Sequence, residues 1–213
     1  MLSTLLKAAS SQLPIQYIGE STTQTSTGTF STVVVSKPTG TTQGDLMIMI
    51  GAIGSGTSRT WTGDTGWTEV ADQNSPPNLR VAYKVAGASE PSSYTFAISS
   101  STNSGIAASI LTYRYAAYDT IGAFTSGTNP LILPSVTASK NLSVLIAAGA
   151  RVDANTVLGT PTGMTARVTN SDSTRPSYKI CDQSVDAGAT GTRSMSSGST
   201  NEVAGIMLVI KPA

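Results

Sequence analysis

After Pro14 no stretch of this chain carries a helical period of apolar positions. Two other patterns dominate. Some segments alternate, such as "LRVAYKVAG" (79–87), with Leu79, Val81, Tyr83 and Val85 on one side, and "SSYTFAIS" (92–99), with Tyr94, Phe96 and Ile98. Alternation predicts strands with one buried face. Others are apolar without a break, above all "GDLMIMIGAIG" (44–54) and "NLSVLIAAGAR" (141–151). Runs of this kind predict strands buried on both sides. Further strands are expected in "IQYIG", "GTFSTVVVSKP", "GWTEVAD", "GIAASILTYRYA" and residues 131–138. After them come "GMTARVTN", "RPSYKICDQSV", "ATGTRSMSS" and "NEVAGIMLVIKP". Most prolines fall between these segments or at their ends, where the missing N–H does no harm. Pro176 opens a strand-like run and predicts a first or edge position there.

The order of segments repeats. "GDLMIMIGAIGSG" matches "KNLSVLIAAGARVD", "TGDTGWTEVAD" matches "TPTGMTARVTN", and "SGIAASILTYR" matches "NEVAGIMLVIK", at a nearly constant offset. "LRVAYKVAG" against "RPSYKICDQ" sets Tyr83-Lys84 on Tyr178-Lys179. The period is too long for a solenoid. Two similar halves, about 28–116 and 130–213, predict sheets that close one core between them. The expected fold is an all-β, jelly-roll-like sandwich of about eight or more strands.

Residues 1–14, "MLSTLLKAASSQLP", stand apart. Lys7 interrupts an apolar stretch too short for a secretory signal. Two turns of amphipathic helix would place Leu2, Leu5, Leu6 and Ala9 together, but a helix so short needs a partner surface. The expectation is an N-terminal arm over 1–14, anchored through Leu2, Leu5 and Leu6, and one sandwich domain over 15–213. No segment reaches the ~18 apolar residues of a membrane span.

Composition narrows function mainly by subtraction. Charged residues make up 12% of the chain, and 13 basic against 12 acidic residues leave +1. No run of like charge points to a nucleic acid or an anionic membrane. Histidine is missing, which removes His-based triads and His metal sites. Cys181, the one cysteine, can form no intrachain disulfide and reads as a buried, inert thiol. Glu69 and Asp72, three apart in a strand, should face opposite sides and make a poor acid–base pair. Asp64, Asp153, Asp172, Asp182 and Asp186 are scattered without the spacing of a calcium loop. No catalytic, cofactor-binding or metal-ligating set is therefore assigned, and an enzyme is not expected. Trp67 opens a strand and reads as core; Trp61 lies in a Gly-rich connection, either core or exposed to stack on a sugar. In "TYRYAAY", Tyr113 and Tyr115 share one face with Arg114 opposite, a rim suited to an interface or to capping the sandwich.

"GDLMIMIGAIG", "GWTEVAD", "LRVAYKVAGASEPSSYTFAIS" and "GIAASILTYRYA" together resemble β-sandwich proteins of tailed bacteriophages and prophages. The resemblance rests on Gly44, Asp45, Leu46, Gly66, Trp67, Thr68, Tyr83, Lys84, Glu90, Pro91, Tyr94, Thr95 and Phe96, and on the closing "IKPA". It covers about 15–213 and implies a virion part made in the host cytoplasm. The first expectation is a capsid decoration or cement protein, a homotrimer packed on the major capsid protein. The alternative is a tail-fibre or tail-tip module that binds host surface glycans, with Trp61, Tyr113, Arg114 and Tyr115 as candidate contacts. A polysaccharide-active enzyme comes third.

Overall fold

The computed structural model describes residues 12–25, 29–54, 59–62, 65–75, 77–127, 129–152, 158–170, 176–198 and 202–213. Leu2, Leu5 and Leu6 lie outside the described residues, as do Asp64, Asp153 and Asp172. All regular structure among the described residues is strand. In chain order the first nine are β1 (Gln16–Thr25), β2 (Phe30–Ser36), β3 (Leu46–Ile53), β4 (Trp61–Thr62), β5 (Thr68–Gln73), β6 (Asn78–Val85), β7 (Ser93–Thr102), β8 (Ile106–Arg114) and β9 (Ala116–Ile121). The rest are β10 (Thr125–Gly127), β11 (Leu131–Leu133), β12 (Thr137–Ala138), β13 (Ser143–Arg151), β14 (Thr165–Asn170), β15 (Ser177–Val185), β16 (Gly188–Ala189), β17 (Arg193–Met195) and β18 (Val203–Pro212).

Two large antiparallel sheets carry the fold. One has the order β1-β8-β3-β6-β5; the other has the order β10-β18-β13-β15-β14, with β9 sharing the β10 side of β18. They pack face to face as an all-β sandwich. Leu46, Ile48 and Ile50 of β3 meet Ile146 and Ala148 of β13 and Ile206 and Leu208 of β18 in one central core. Each sheet is also covered on its other face. Met47, Met49 and Ile53 pack beneath β2, β4 and β7, against Val33, Val35, Trp61 and Phe96. Leu145 and Ala147 pack beneath β11 and β17, against Leu131, Leu133 and Met195. The molecule thus has four layers and three cores. A strand between two cores buries odd and even positions alike, which accounts for the unbroken apolar runs of β3 and β13. Facing large sheets were expected; the two outer layers were not.

β3, β6, β8 and β5 are arranged in one sheet as β13, β15, β18 and β14 are in the other. The residue pairing differs from the sequence match in one place. Tyr83 lies beside Ile48, near the start of β3, whereas Tyr178 lies beside Ala150, near the end of β13. The residue beside Ile146 of β13 is Asp182, so Tyr83-Lys84 and Tyr178-Lys179 do not occupy matching positions.

Local backbone devices shape the edges. β5 and β14 are edge strands, each with a bulge, at Val70 and at Arg167. The bulge in β5 restores parity between Glu69 and Asp72, which pair with Ala82 and Arg80 and so share a face. The expectation of opposite faces fails for that reason. Tyr115 adopts φ 58° and breaks the expected single strand into β8 and β9. The broken segment crosses from one large sheet to the other, because β8 pairs with β1 and β3 while β9 pairs with β18.

Candidate functional site

Some of the motif residues, among them Asp45, Trp67, Lys84, Glu90, Tyr94 and Phe96, gather into two structural knots. In the first, Glu90 accepts from Lys84 Nζ, Tyr94 Oη and the Gly87 N–H, each at 2.7 Å. Trp67 packs edge-on against Tyr94 and Phe96, at 5.2 and 5.5 Å between centroids. Burial raises the Glu90 carboxyl, but the three donors outweigh it and hold the group below its ordinary range. In the second, Gly44 takes φ 88° and delivers Asp45 to the start of β3. Asp45 accepts from the Thr42 N–H at 2.8 Å and from Arg114 Nε and Nη2 at 2.9 Å each. Arg114 also donates to Gly40 O and Thr42 Oγ1. These motif residues shape turns and strand ends.

The expected contact residues separate. Trp61 is buried, 4% exposed, and lies over Gly51, where an added Cβ would stand 2.6 Å from its ring. It lies in the outer core, not in solvent, so it offers no face to a sugar. Tyr113 is 1% exposed and belongs to the central core, so it forms no rim with Tyr115. The left-handed backbone at Tyr115 ends the alternation that would have put the two together. Tyr115 remains on the surface, and Arg114 is committed to Asp45. Cys181 is fully buried, and burial pushes its thiol up to about 11. Glu69 pairs with Arg80 at 2.8 Å, and Asp72 accepts from the Trp61 N–H at 3.2 Å. Among the described residues no cluster of three His, Cys, Asp or Glu could hold a metal ion, and no helix is long and apolar enough to cross a membrane.

Polar chemistry concentrates where the two large sheets meet along one side. Tyr17 of β1 and Tyr113 of β8 are cross-strand neighbours with rings 5.5 Å apart, edge to face. Tyr113 reaches across to the other sheet and donates to Asp182 Oδ2 at 3.1 Å. Arg167, re-aimed by its bulge, donates through Nε to the same oxygen at 2.8 Å and lies 4.1 Å over the Tyr17 ring. Burial, then the Asp182 charge, raises the Tyr113 phenol far above its ordinary range, so it stays a donor throughout the working pH range. These groups surround a cleft of about 80 Å³, walled also by Ile15, Val144 and Ser184. On the opposite side of the sandwich, Tyr83 and Tyr118 stack at 4.9 Å, with planes 4° apart.

Sequence reasoning named Tyr113 and Asp182, but neither as part of this cluster, and named neither Tyr17 nor Arg167. These residues come from β1, β8, β14 and β15, and only the closure of the sandwich unites them. No known protein family, curated protein or solved structure matches the chain.

Proposed function

We propose that the chain is a structural protein of a tailed-phage virion: a capsid decoration or cement protein that packs in many copies on the major capsid protein. The observation that carries this reading is the uneven placing of exposed apolar side chains. Among the described residues the large ones are Leu13, Val34, Val85, Tyr115, Ile132 and Leu142. Four of them, Leu13, Val85, Tyr115 and Leu142, belong to one end of the sandwich, where β3 and β13 begin and β6, β8 and β18 finish. Ala213 N bonds Tyr115 O there, and Gln12 Nε2 bonds Pro212 O, so Gln12 and the last residues of β18 lie at this same end. A low-charge body with four exposed apolar side chains at one end suits attachment at high copy number, since weak self-repulsion favours dense packing. The resemblance over Gly44–Leu46, Trp67 and Glu90–Phe96 supports the setting. A homotrimer is the proposed assembly, because symmetric contacts would also shield sheet edges.

The test is incorporation into particles. Virions purified from the producing host should contain the chain in a fixed ratio to the major capsid protein by quantitative mass spectrometry. Removing residues 1–11, or substituting Val85→Lys together with Leu142→Asn, should lower that ratio at least tenfold while the isolated protein keeps its melting temperature. Val34→Lys and Ile132→Lys, on the outer layers, should leave the ratio unchanged. Absence from particles, or equal incorporation of every variant, refutes the reading.

A further inference from the structure

We infer that Tyr83 and Tyr118 are a modification site, where oxidation by hydrogen peroxide and a haem peroxidase joins the two rings as an intramolecular dityrosine. Tyr83 belongs to β6 and lies beside Ile48 of β3 in one large sheet. Tyr118 belongs to β9 and lies beside Ile210 of β18 in the other. Their rings meet between the sheets, with centroids 4.9 Å apart and planes 4° from parallel. The remaining aromatic pairs among the described residues meet edge-on: Tyr17 with Tyr113 at 61°, Trp67 with Tyr94 at 88° and Trp67 with Phe96 at 70°.

Ring orientation decides which pair can couple. A phenol that loses one electron and its O–H proton becomes a phenoxyl radical. The unpaired electron is shared by the oxygen and the ring carbons ortho to it, in π lobes that stand perpendicular to the ring plane. Two such radicals therefore bond face to face. The offset stack of Tyr83 on Tyr118 already opposes the two faces. In the Tyr17–Tyr113 pair the lobes of one ring meet the C–H edge of the other. Access separates the pairs as well. Tyr83 and Tyr118 are each partly exposed, whereas Tyr113 is 1% exposed and Tyr17 Oη is sealed from solvent.

The step balances as follows. Each phenol gives one electron and one proton to the oxidant, and a C–C bond forms between the two ortho carbons. Each joined carbon then loses its hydrogen as a proton, while each oxygen regains one, which restores both aromatic rings. The protein has lost two hydrogens, and one hydrogen peroxide has become two waters. Partly exposed side chains leave the rings room to turn from the stack into the joined product.

The bond would do what a disulfide cannot do here, since Cys181 is the one cysteine and is buried. On the cleft side the sheets are tied by the Tyr113–Asp182 hydrogen bond and by Arg167 over Tyr17. Joining Tyr83 to Tyr118 ties them on the opposite side. It also closes residues 83–118 into a loop, which restricts the unfolded chain. The assignment does not rest on the virion reading.

The test treats the full chain, at low concentration, with hydrogen peroxide and a haem peroxidase. A parallel sample receives a photogenerated ruthenium(III) complex, a small one-electron oxidant. Peptide mapping by mass spectrometry should find the peptides of Tyr83 and Tyr118 joined within one chain, with the loss of two hydrogens, alongside dityrosine fluorescence. Tyr83→Phe and Tyr118→Phe should each lower that product at least tenfold while keeping a native circular dichroism spectrum, and Tyr17→Phe should leave it unchanged. In urea the selectivity for this pair should vanish. The joined protein should melt roughly 5–15 °C above the untreated one. Absence of the joined peptides with both oxidants, joining only between chains, a different pair as the main product, or undiminished product in either stacked-ring variant overturns the site. Equal melting of joined and untreated protein overturns its role as a tie between the sheets.

Discussion

Consecutive positions of β3 should be equally intolerant of truncation, which is unusual for a strand. Ile48 faces the central core and Met49 the outer one, and both are fully buried. Ile48→Ala removes three carbon groups, at about 0.8 kcal/mol each, or about 2.4 kcal/mol of transfer free energy. A residual void of roughly 60 Å³, at about 24 cal/mol per Å³, adds about 1.4 kcal/mol. The sum is about 4 kcal/mol, and Met49→Ala should cost a similar amount, within the usual range of about 2–5 kcal/mol. For a chain of this size each kcal/mol lowers the melting temperature by about 2–4 °C, so either variant should melt roughly 8–16 °C below the wild type. The assay is urea unfolding followed by fluorescence and circular dichroism, with coincident transitions checked first. Val34→Ala, on a half-exposed site in β2, is the control and should stay within about 0.5 kcal/mol. A cost for Met49→Ala as small as the control's, beside a large one for Ile48→Ala, refutes the four-layer packing.

Three further predictions concern the supporting contacts. Gly51→Ala should cost about 1–3 kcal/mol, because its Cβ would meet Trp61 ring carbons at 2.6 Å; in a Trp61→Phe background the same change should cost at least about 1 kcal/mol less, measured as a double-mutant cycle. Asp45, Glu90 and Asp119 each feel burial first, yet their donors hold all three carboxyls below ordinary values of 3.8 to 4.5. Their stabilisation is therefore complete above those values and is lost as pH falls through the lower native values; with no histidine to titrate, stability should be level around neutrality and fall below about pH 4, less steeply in Glu90→Gln. Cys181 should resist thiol reagents in the native state and react only at the rate of unfolding, measured by timed alkylation and mass spectrometry.

The strand plan was legible because burial on both faces leaves a plain mark: "LMIMIGAI" and "SVLIAAGAR" admit no solvent-facing position. Long-range consequences were not. A bulge adds one residue without any special residue type, so Val70 gives no warning that Glu69 and Asp72 will share a face. Trp61 follows a Gly-rich stretch, and its burial depends on the missing side chain of Gly51, a neighbour only in space. The left-handed turn at Tyr115 is taken by a tyrosine, not a glycine, so the split between β8 and β9 had no local signal. The cleft was hidden for a related reason. Tyr17, Tyr113, Arg167 and Asp182 are common residues in four strands, and their meaning lies in the register that brings them together.

The claim that most needs a direct answer is attachment to a virion through the end that carries Leu13, Val85, Tyr115 and Leu142. Cryo-electron microscopy of particles carrying the protein gives that answer. The account predicts density on the capsid lattice, in fixed stoichiometry with the major capsid protein, with Val85, Tyr115 and Leu142 turned toward the shell. Density confined to the tail, or a sandwich whose Val85, Tyr115 and Leu142 point into solvent, would contradict it.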